Sequence, residues 1–415
     1  MKKVLHVSYD TLPGAGTVPK LFHLEMKKRG IYSKFLVHGR NSKKEDDTIV
    51  YYNLLSITIH KISLGINRIF KRYGLSKYFF LNLNEKHNYI SSDSILRKVN
   101  FKPDIIIFYW TSRFVNTKTI AELYKSTKAD IYWVMTDMGS YTGGCHHSWG
   151  CENFKNDCNN CPAINSTYRA AQNLQLKKEH LQGIPLTIIA SEGDSYKHTK
   201  NSSLFRKQEI RKHLLKVNPH SLNEISKTDA RKKLGLESTD IVFFIGATNF
   251  NDKRKGMKLL MEAIQILSET LDPVIKDRIC FIHSLKNGSK EFDGIPLRTI
   301  SLGYMNFNKE LPFAFIASDA HISSSIMDTG PYMVNLSIGY GCPVLSFDIG
   351  VAINLVINGV TGFKAHETSS KSLADAIILF LDLKKRNVHL HDNCIKLAQE
   401  KLYWTESSLE IFGLK

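Results

Sequence analysis

"DIVFFIGATNFNDKRKGMKLLMEAIQILSETL", residues 240–271, decides the fold. It opens with an unbroken apolar run rich in Val, Ile and Phe, as a strand buried on both faces requires. A polar loop, "TNFNDKRKG", follows, and "MKLLMEAIQILSETL" then reads as a helix. Strand, loop and helix in that order open a Rossmann-like unit. The chain begins the same way. "KKVLHVSY" is a strand, "DTLPGAGTVP" a Gly-rich turn, "KLFHLEMKKRG" a helix closing on Gly30, and "YSKFLVHG" a second strand. "DIIIFYW", "DIYWVMTD" and "PLTIIAS" continue the first series; "RICFIHSL", "RTISLGY", "DAHISSS" and "CPVLSFD" continue the second. Between them lies a basic, Asn- and Ser-rich segment, residues 196–233. The expectation is an α/β protein of two facing Rossmann-like domains with a cleft between them. The boundary falls near 215–230, giving residues 1–220 and 221–395. Residues 396–415 form an amphipathic helical tail expected to pack back on the first domain. A chain of 415 residues suits two domains of roughly 200 each.

The composition, 43% hydrophobic and 23% charged, is that of an ordinary globular protein. "MKKVLHVSYD" reads as a first strand and not a signal peptide, and no run approaches 18 apolar residues. Seven cysteines, an odd number without an export signal, point to a reducing cytoplasm. The 56 Lys+Arg against 39 Asp+Glu leave a net charge of +17. Such an excess suits nucleic acid, an anionic membrane surface or phosphorylated small molecules. "KISLGINRIFKRYGLSK", residues 61–77, places Ile62, Ile66, Ile69, Phe70 and Tyr73 at helical spacing, with Arg68, Lys71, Arg72 and Lys77 on other faces. It reads either as a surface helix of its own domain or as a basic helix lying on the inner leaflet. No stacking-aromatic module accompanies the basic residues, so a nucleic-acid partner is not expected. Absence of G-x-G-x-x-G and of G-x-x-x-x-G-K-[ST] weighs against nicotinamide dehydrogenases and P-loop NTPases.

Ligands of open α/β sheets bind at the carboxyl ends of the strands. Gly246, Arg254 and Lys255 fall there in the second half, and two cations before a helix suit a diphosphate. Gly14 and Gly16 hold the corresponding place in the first half. Further on, "SSSIMDTGPYMVNLSIGYGCPVLSFDIGVAINLVINGVTGF", residues 323–363, sets Asp328 in a turn before a helix. Thr329, Gly330, Pro331 and Tyr332 form a tight loop whose N–H groups suit a phosphate or a sugar hydroxyl.

This segment resembles the donor-binding motif of the retaining glycosyltransferases of family four, which have the GT-B architecture. Gly341, Pro343 and Val344 match the end of the motif, Asp328 its first acid, and Arg254, Lys255 and Gly256 its phosphate-binding stretch. In the first half, "TDMGSYTGGCH", residues 136–146, and the cysteines after it resemble a segment of O-antigen and polysaccharide members. The resemblance implies transfer of a sugar from a nucleoside-diphosphate sugar with retention of configuration and without a catalytic metal. It further implies a glycan or undecaprenyl-diphosphate-linked acceptor. Arg254 and Lys255 then steady the leaving diphosphate, Asp328 holds sugar hydroxyls, and Asp137 or His146 serves the acceptor as base. Thr142, Gly143 and Gly144 are expected on the acceptor side. The chain departs from the pattern at three positions: Asp328 replaces a glutamate, Thr136 a common histidine, and Leu336 the glutamate that holds the ribose. Asn335 is the expected substitute for that last role. Loss of the ribose ligand motivates a second reading, a sugar-nucleotide-binding protein without turnover.

Cys145, Cys151, Cys158 and Cys161 are spaced C-x5-C-x6-C-x2-C. That spacing is compatible with a structural zinc, with buried free thiols or with a disulfide pair.

Overall fold

The computed structural model describes residues 2–11, 16–38, 47–51, 58, 78–81, 85–87, 89–164, 169–219, 224–287, 289–306 and 309–414. The basic segment 61–77 and Gly14 therefore lie outside the described residues. The chain divides into two compact units. One comprises Met1–Ser191, Ser195–His213 and Glu406–Lys415; the other comprises Glu192–Asp194 and Leu214–Thr405.

The first unit is built on strands β1 (Lys3–Ser8), β2 (Tyr32–Val37), β3 (Thr48–Val50), β4 (Ile105–Phe108), β5 (Asp130–Met135), β6 (Leu186–Ser191) and β7 (Glu209–His213). They form one sheet in the order β3-β2-β1-β4-β5-β6-β7, and every pairing is parallel. Parallel neighbours need crossovers, and the helices Thr17–Lys28, Ser92–Val99, Thr117–Thr127 and Arg169–Leu181 supply them. Ser91 and Asn116 cap two of these, each accepting the N–H three residues on. Leu5, Val7, Ile106, Phe108, Ile131, Trp133 and Ile188 are buried at the centre of the core.

The second unit repeats the plan with β8 (Ile241–Asn249), β9 (Ile279–Asn287), β10 (Arg298–Ser301), β11 (Ala320–Ser323), β12 (Val344–Phe347) and β13 (Gly362–Ala365). The order is β10-β9-β8-β11-β12-β13, again all parallel. Strand β8 shows why its sequence is an unbroken apolar run. Ile241, Phe243 and Ile245 point into one core cluster, whereas Val242 and Phe244 point into another on the opposite face. Helices cover both faces, so neither set of side chains can be polar.

One buried charge fastens this unit. Asp319, just before β11, takes Lys227, Arg231 and Lys384 at 2.8, 2.9 and 2.9 Å, and accepts Val242 N–H at 2.8 Å. Burial alone would raise its pKa, but Lys227, Lys384 and Arg231 together hold the carboxyl at about 2.

The C-terminal stretch divides. The helix His391–Lys401 belongs to the second unit and buries Cys394, Leu397 and Ala398 in its core. Only Glu406–Lys415 is assigned to the first unit, with the Phe412 ring edge-on to Phe22 at 5.0 Å. The expected tail of residues 396–415 is thus two separate pieces, because the apolar stripe of the helix matches the second core. Among the described residues no helix is long and apolar enough to cross a membrane.

Candidate functional site

In a sheet ordered 3-2-1-4-5-6 the winding reverses between the first and fourth strands, and ligands bind beyond the carboxyl ends there. In the second unit that point lies between β8 and β11. Beyond β8 the chain makes a short 3-10 turn, Lys253–Lys255, then enters the 14-residue helix Met257–Thr270. Beyond β11 runs the segment carrying Asp328. The two segments are laced together by Ile326 N–H to Arg254 O at 2.7 Å and by Ser324 Oγ–H to Lys255 O at 2.8 Å. Gly256 permits this closeness. Its φ is +60°, and a Cβ there would stand 2.0 Å from Ser324 O, so any side chain would drive the segments apart.

Within this frame Lys255 Nζ donates to Asp328 Oδ2 at 2.8 Å, and Gly330 N–H donates to Asp328 Oδ1 at 3.1 Å. The Arg254 guanidinium pairs with Asp252, whose other oxygen accepts Arg254 N–H at 3.1 Å. Burial opposes ionisation of Asp328, but Lys255, Arg254 and the Gly330 N–H outweigh it and hold the carboxyl at about 2. The site therefore presents two oriented cations beside a helix N-terminus, a place that favours phosphate.

Gly246 lies in β8, in the part of the strand nearest this point. Thr329 and Gly330 form the loop, and Pro331 is the N-cap of the helix Tyr332–Gly339. Two expected donor residues are engaged elsewhere. Tyr332 OH donates to Lys216 O at 2.9 Å; Asn335 is 1% exposed and its amide donates to Leu215 O at 2.8 Å. Both fasten the start of the second unit to the helix. Leu336 packs in the core between the sheet and its helices, so the position of the missing glutamate has been absorbed into apolar packing. Gly16 is the N-cap of the helix Thr17–Lys28 in the first unit.

The first unit has its own polar group, beyond the carboxyl ends of β4 and β5. Asp137 Oδ2 lies 2.6 Å from His146 Nδ1, and Gly139 N–H donates to Asp137 Oδ1 at 2.7 Å. The far side of the ring, Nε2, lies 3.1 Å from Ser112 Oγ. Trp110 Nε1 also approaches Nδ1, at 3.1 Å. One nitrogen cannot donate to the carboxylate and accept from the indole at once. The shorter contact places the proton on Nδ1, leaving Nε2 to accept from Ser112 Oγ–H. Burial would raise the Asp137 pKa, yet His146, His147 and the Gly139 N–H keep it below the ordinary value.

Thr142, Gly143 and Gly144, expected to face an acceptor, are buried. Thr142 Oγ1 donates to Cys145 O at 2.6 Å. A Cβ on Gly143 would stand 2.2 Å from Ala170 O, so this glycine admits the helix Arg169–Leu181 and not a ligand. These three residues are framework. Beneath them lies Lys177, 1% exposed, donating to Gly139 O at 2.7 Å and Thr142 O at 3.0 Å. Sequence reasoning missed Lys177, Ser112 and Trp110. The lysine is one basic residue among several on its helix, and nothing local marks it. Ser112 and Trp110 had one signal, their place directly after β4. Cys145, Cys151, Cys158 and Cys161 are all free thiols lining one small cavity. Among the described residues, as they stand, no three His, Cys, Asp or Glu side chains form a group that could hold a metal ion.

Residues 226–400, within the second unit, match the family model described as glycosyl transferases group 1. A protein of Escherichia coli (strain K12) assigned to colanic acid biosynthesis as a glycosyl transferase, WcaC, is 25% identical over 159 residues. That match spans 37% of each of the two chains. Among solved structures, the sucrose-phosphate synthase of Thermosynechococcus elongatus aligns with a TM-score of 0.63 at 13% identity, covering 99% of this chain and 97% of that one. HepE of Anabaena in complex with UDP-glucose aligns at 0.61 and 13%, covering 99% and 98%. The fold is accordingly that of the GT-B glycosyltransferases, an α/β chain with two Rossmann-like halves.

Proposed function

We propose that this chain transfers a hexose-type sugar from a nucleoside-diphosphate sugar to a glycan or undecaprenyl-diphosphate-linked acceptor. The transfer retains anomeric configuration and serves the assembly of a surface polysaccharide such as O-antigen, capsule or exopolysaccharide. The observation that carries this reading is the group Arg254, Lys255 and Asp328 at the switch point of the second sheet, inside the stretch that matches the family. HepE, solved with UDP-glucose, supports a sugar nucleotide as the donor.

The chemistry follows from where charge develops. As the bond from the anomeric carbon to the diphosphate lengthens, the carbon gains positive charge and the leaving oxygens gain negative charge. Arg254 and Lys255 meet that negative charge without reorganising, because Asp252 and Asp328 already orient them. Asp328, ionised throughout the neutral range, accepts hydroxyls of the donor sugar. No catalytic metal is assigned. Asp137 and His146 are assigned to the acceptor, the imidazole taking the proton and the carboxylate fixing its tautomer. The net charge of +17 supports a cytoplasmic protein resting on the anionic inner leaflet, where a lipid-linked acceptor is presented.

The test is a thermal-shift panel of UDP, GDP, CDP, ADP and NAD, followed by transfer assays with sugar conjugates of whichever base binds. Selective stabilisation by one nucleoside diphosphate, abolished in Arg254→Ala, is expected. The core placement of Leu336 favours one other reading, nucleotide binding without turnover. Tight binding with neither transfer nor donor hydrolysis would establish that reading instead.

A further inference from the structure

We propose that Cys145, Cys151, Cys158 and Cys161 hold one structural zinc ion. All four thiols line the same small cavity in the first unit, although they come from a stretch of 17 residues without a strand or a long helix. The backbone is arranged around two of the sulfurs. Gly143 N–H donates to Cys158 Sγ at 3.3 Å, and Cys161 Sγ accepts from the N–H groups of Ala163 and Ile164. Burial pushes the Cys145, Cys158 and Cys161 thiols up; the peptide N–H groups at Cys158 and Cys161 oppose that shift and favour the thiolate that a metal requires. The chain also folds back around the cavity through left-handed residues, Trp149 at φ +49°, Cys158 at +62° and Asn160 at +50°. None of these is a glycine, so each conformation has a cost that some other interaction must offset.

Charge supplies an independent argument. Four thiolates around Zn²⁺ leave a net charge of −2, which is costly in an apolar interior without a counter-charge. Lys177 lies fully buried within electrostatic reach of both Cys145 and Cys158, and its nearest carboxylate, Glu85, is 3.9 Å away. Its ammonium, held in place by Gly139 O and Thr142 O, sets a positive charge beside the cluster. As the side chains stand, no three of the thiols form a metal-holding group. Cys158 and Cys161 are buried, while Cys145 and Cys151 are half-buried, and binding one ion requires the side chains to turn together into the cavity that all four line. The ligand type selects zinc, a tetrahedral four-thiolate site being its ordinary structural form. The ion would pin the loop that runs from Asp137 through His146, since Cys145 precedes His146 directly.

Metal content of the full-length protein, purified without chelator, is the first measurement. Stoichiometric zinc, released as a mercurial titrates the thiols, is expected. Cys151→Ser should lose most of the zinc, and Cys280→Ala, outside the cluster, should keep it. Should Cys151→Ser fail to fold, wild-type protein grown in cobalt gives a second readout. A four-thiolate site shows strong sulfur-to-cobalt charge transfer and tetrahedral d–d bands. Protein without bound metal, cobalt protein lacking the thiolate bands, or a disulfide joining any two of the four would each overturn the proposal.

Discussion

Lys255 and Asp328, 73 positions apart in sequence, are joined by a 2.8 Å hydrogen bond beyond the carboxyl ends of β8 and β11. The contact closes the switch point of the second sheet and fixes the direction of the lysine. In Lys255→Ala the leaving diphosphate loses an oriented cation, and removal of one such donor costs about 10²- to 10³-fold in kcat. Asp328→Ala loses the same orientation and the sugar ligand together. Because the two groups act as a unit, the double variant should be little worse than the poorer single one. Steady-state kinetics on the four proteins measures the coupling, and strictly additive losses would show the pair to be independent.

Arg254 depends on its fork. Asp252 takes the guanidinium and the Arg254 N–H at the same carboxylate, which leaves the planar face aimed by two contacts. A lysine keeps the charge and loses that geometry. Arg254→Lys should therefore recover only a minor part of the activity lost in Arg254→Ala, while nucleotide binding is largely kept. Equal activity of the lysine variant and the wild type would show that charge alone matters here.

Much of this site was readable because its parts lie next to strong local signals. Arg254 and Lys255 follow a long apolar strand and precede a helix; Asp328 sits in a Gly-Pro turn. What joins them, the Ser324 and Ile326 contacts across Gly256, is a property of strand order, and strand order leaves no mark on neighbouring residues. Tyr332 and Asn335 misled for the same reason. They lie in the right loop and helix, but their polar atoms are taken by carbonyls at residues 215 and 216, far away in sequence. The buried glycines 143 and 144 read equally well as a substrate platform or as close packing, and only Ala170 and Phe80 decide between these. Lys177 was invisible, since a lysine on an amphipathic helix is ordinarily a solvated one.

His146 links Asp137 and Ser112 through its two ring nitrogens. If the ring takes the acceptor proton, Asp137→Asn offers a neutral amide at Nδ1 and can turn the ring to the wrong tautomer. The expectation is a drop in kcat of at least ten-fold with donor KM unchanged, and a larger drop for His146→Gln. Ser112→Ala, which leaves the ring anchored by Asp137, should retain most activity. A donor KM raised as much as kcat is lowered, in either of the first two variants, would remove this group from the chemistry.

Asp319 is the most heavily paired carboxylate of the second unit, with three cations and a strand N–H around it. Arg231 is itself buried, so neutralising the carboxylate strands a cation away from water. Removing one member of a buried pair typically costs 3–5 kcal/mol, and Asp319→Asn should lower stability by about 3 kcal/mol or more. Lys227→Met, which removes a half-exposed side chain, should cost far less. Urea unfolding monitored by circular dichroism checks both. Comparable losses in the two variants would mean that the charge cluster is not organised around its buried core.

The pH dependence of stability should show two windows. Asp319 and Asp328 have folded pKa values of about 2 against an ordinary 3.8. Their stabilising contribution is therefore complete above about pH 4 and lost as pH falls toward 2. His321, buried in β11 with Nδ1 3.1 Å from Phe244 O, is pushed by burial from 6.5 down to about 4. Its unfolded form binds a proton first as pH falls, so its contribution is lost between about 6.5 and 4. His6 and His283 are shifted in the same direction by burial, so the upper window has more than one source. In His321→Asn the slope of the urea midpoint between pH 6.5 and 4 should be visibly shallower, while the slope below pH 4 stays the same. An unchanged upper slope would mean that His321 takes its proton in the folded protein without resistance, and that the apolar packing around β11 opens readily to water.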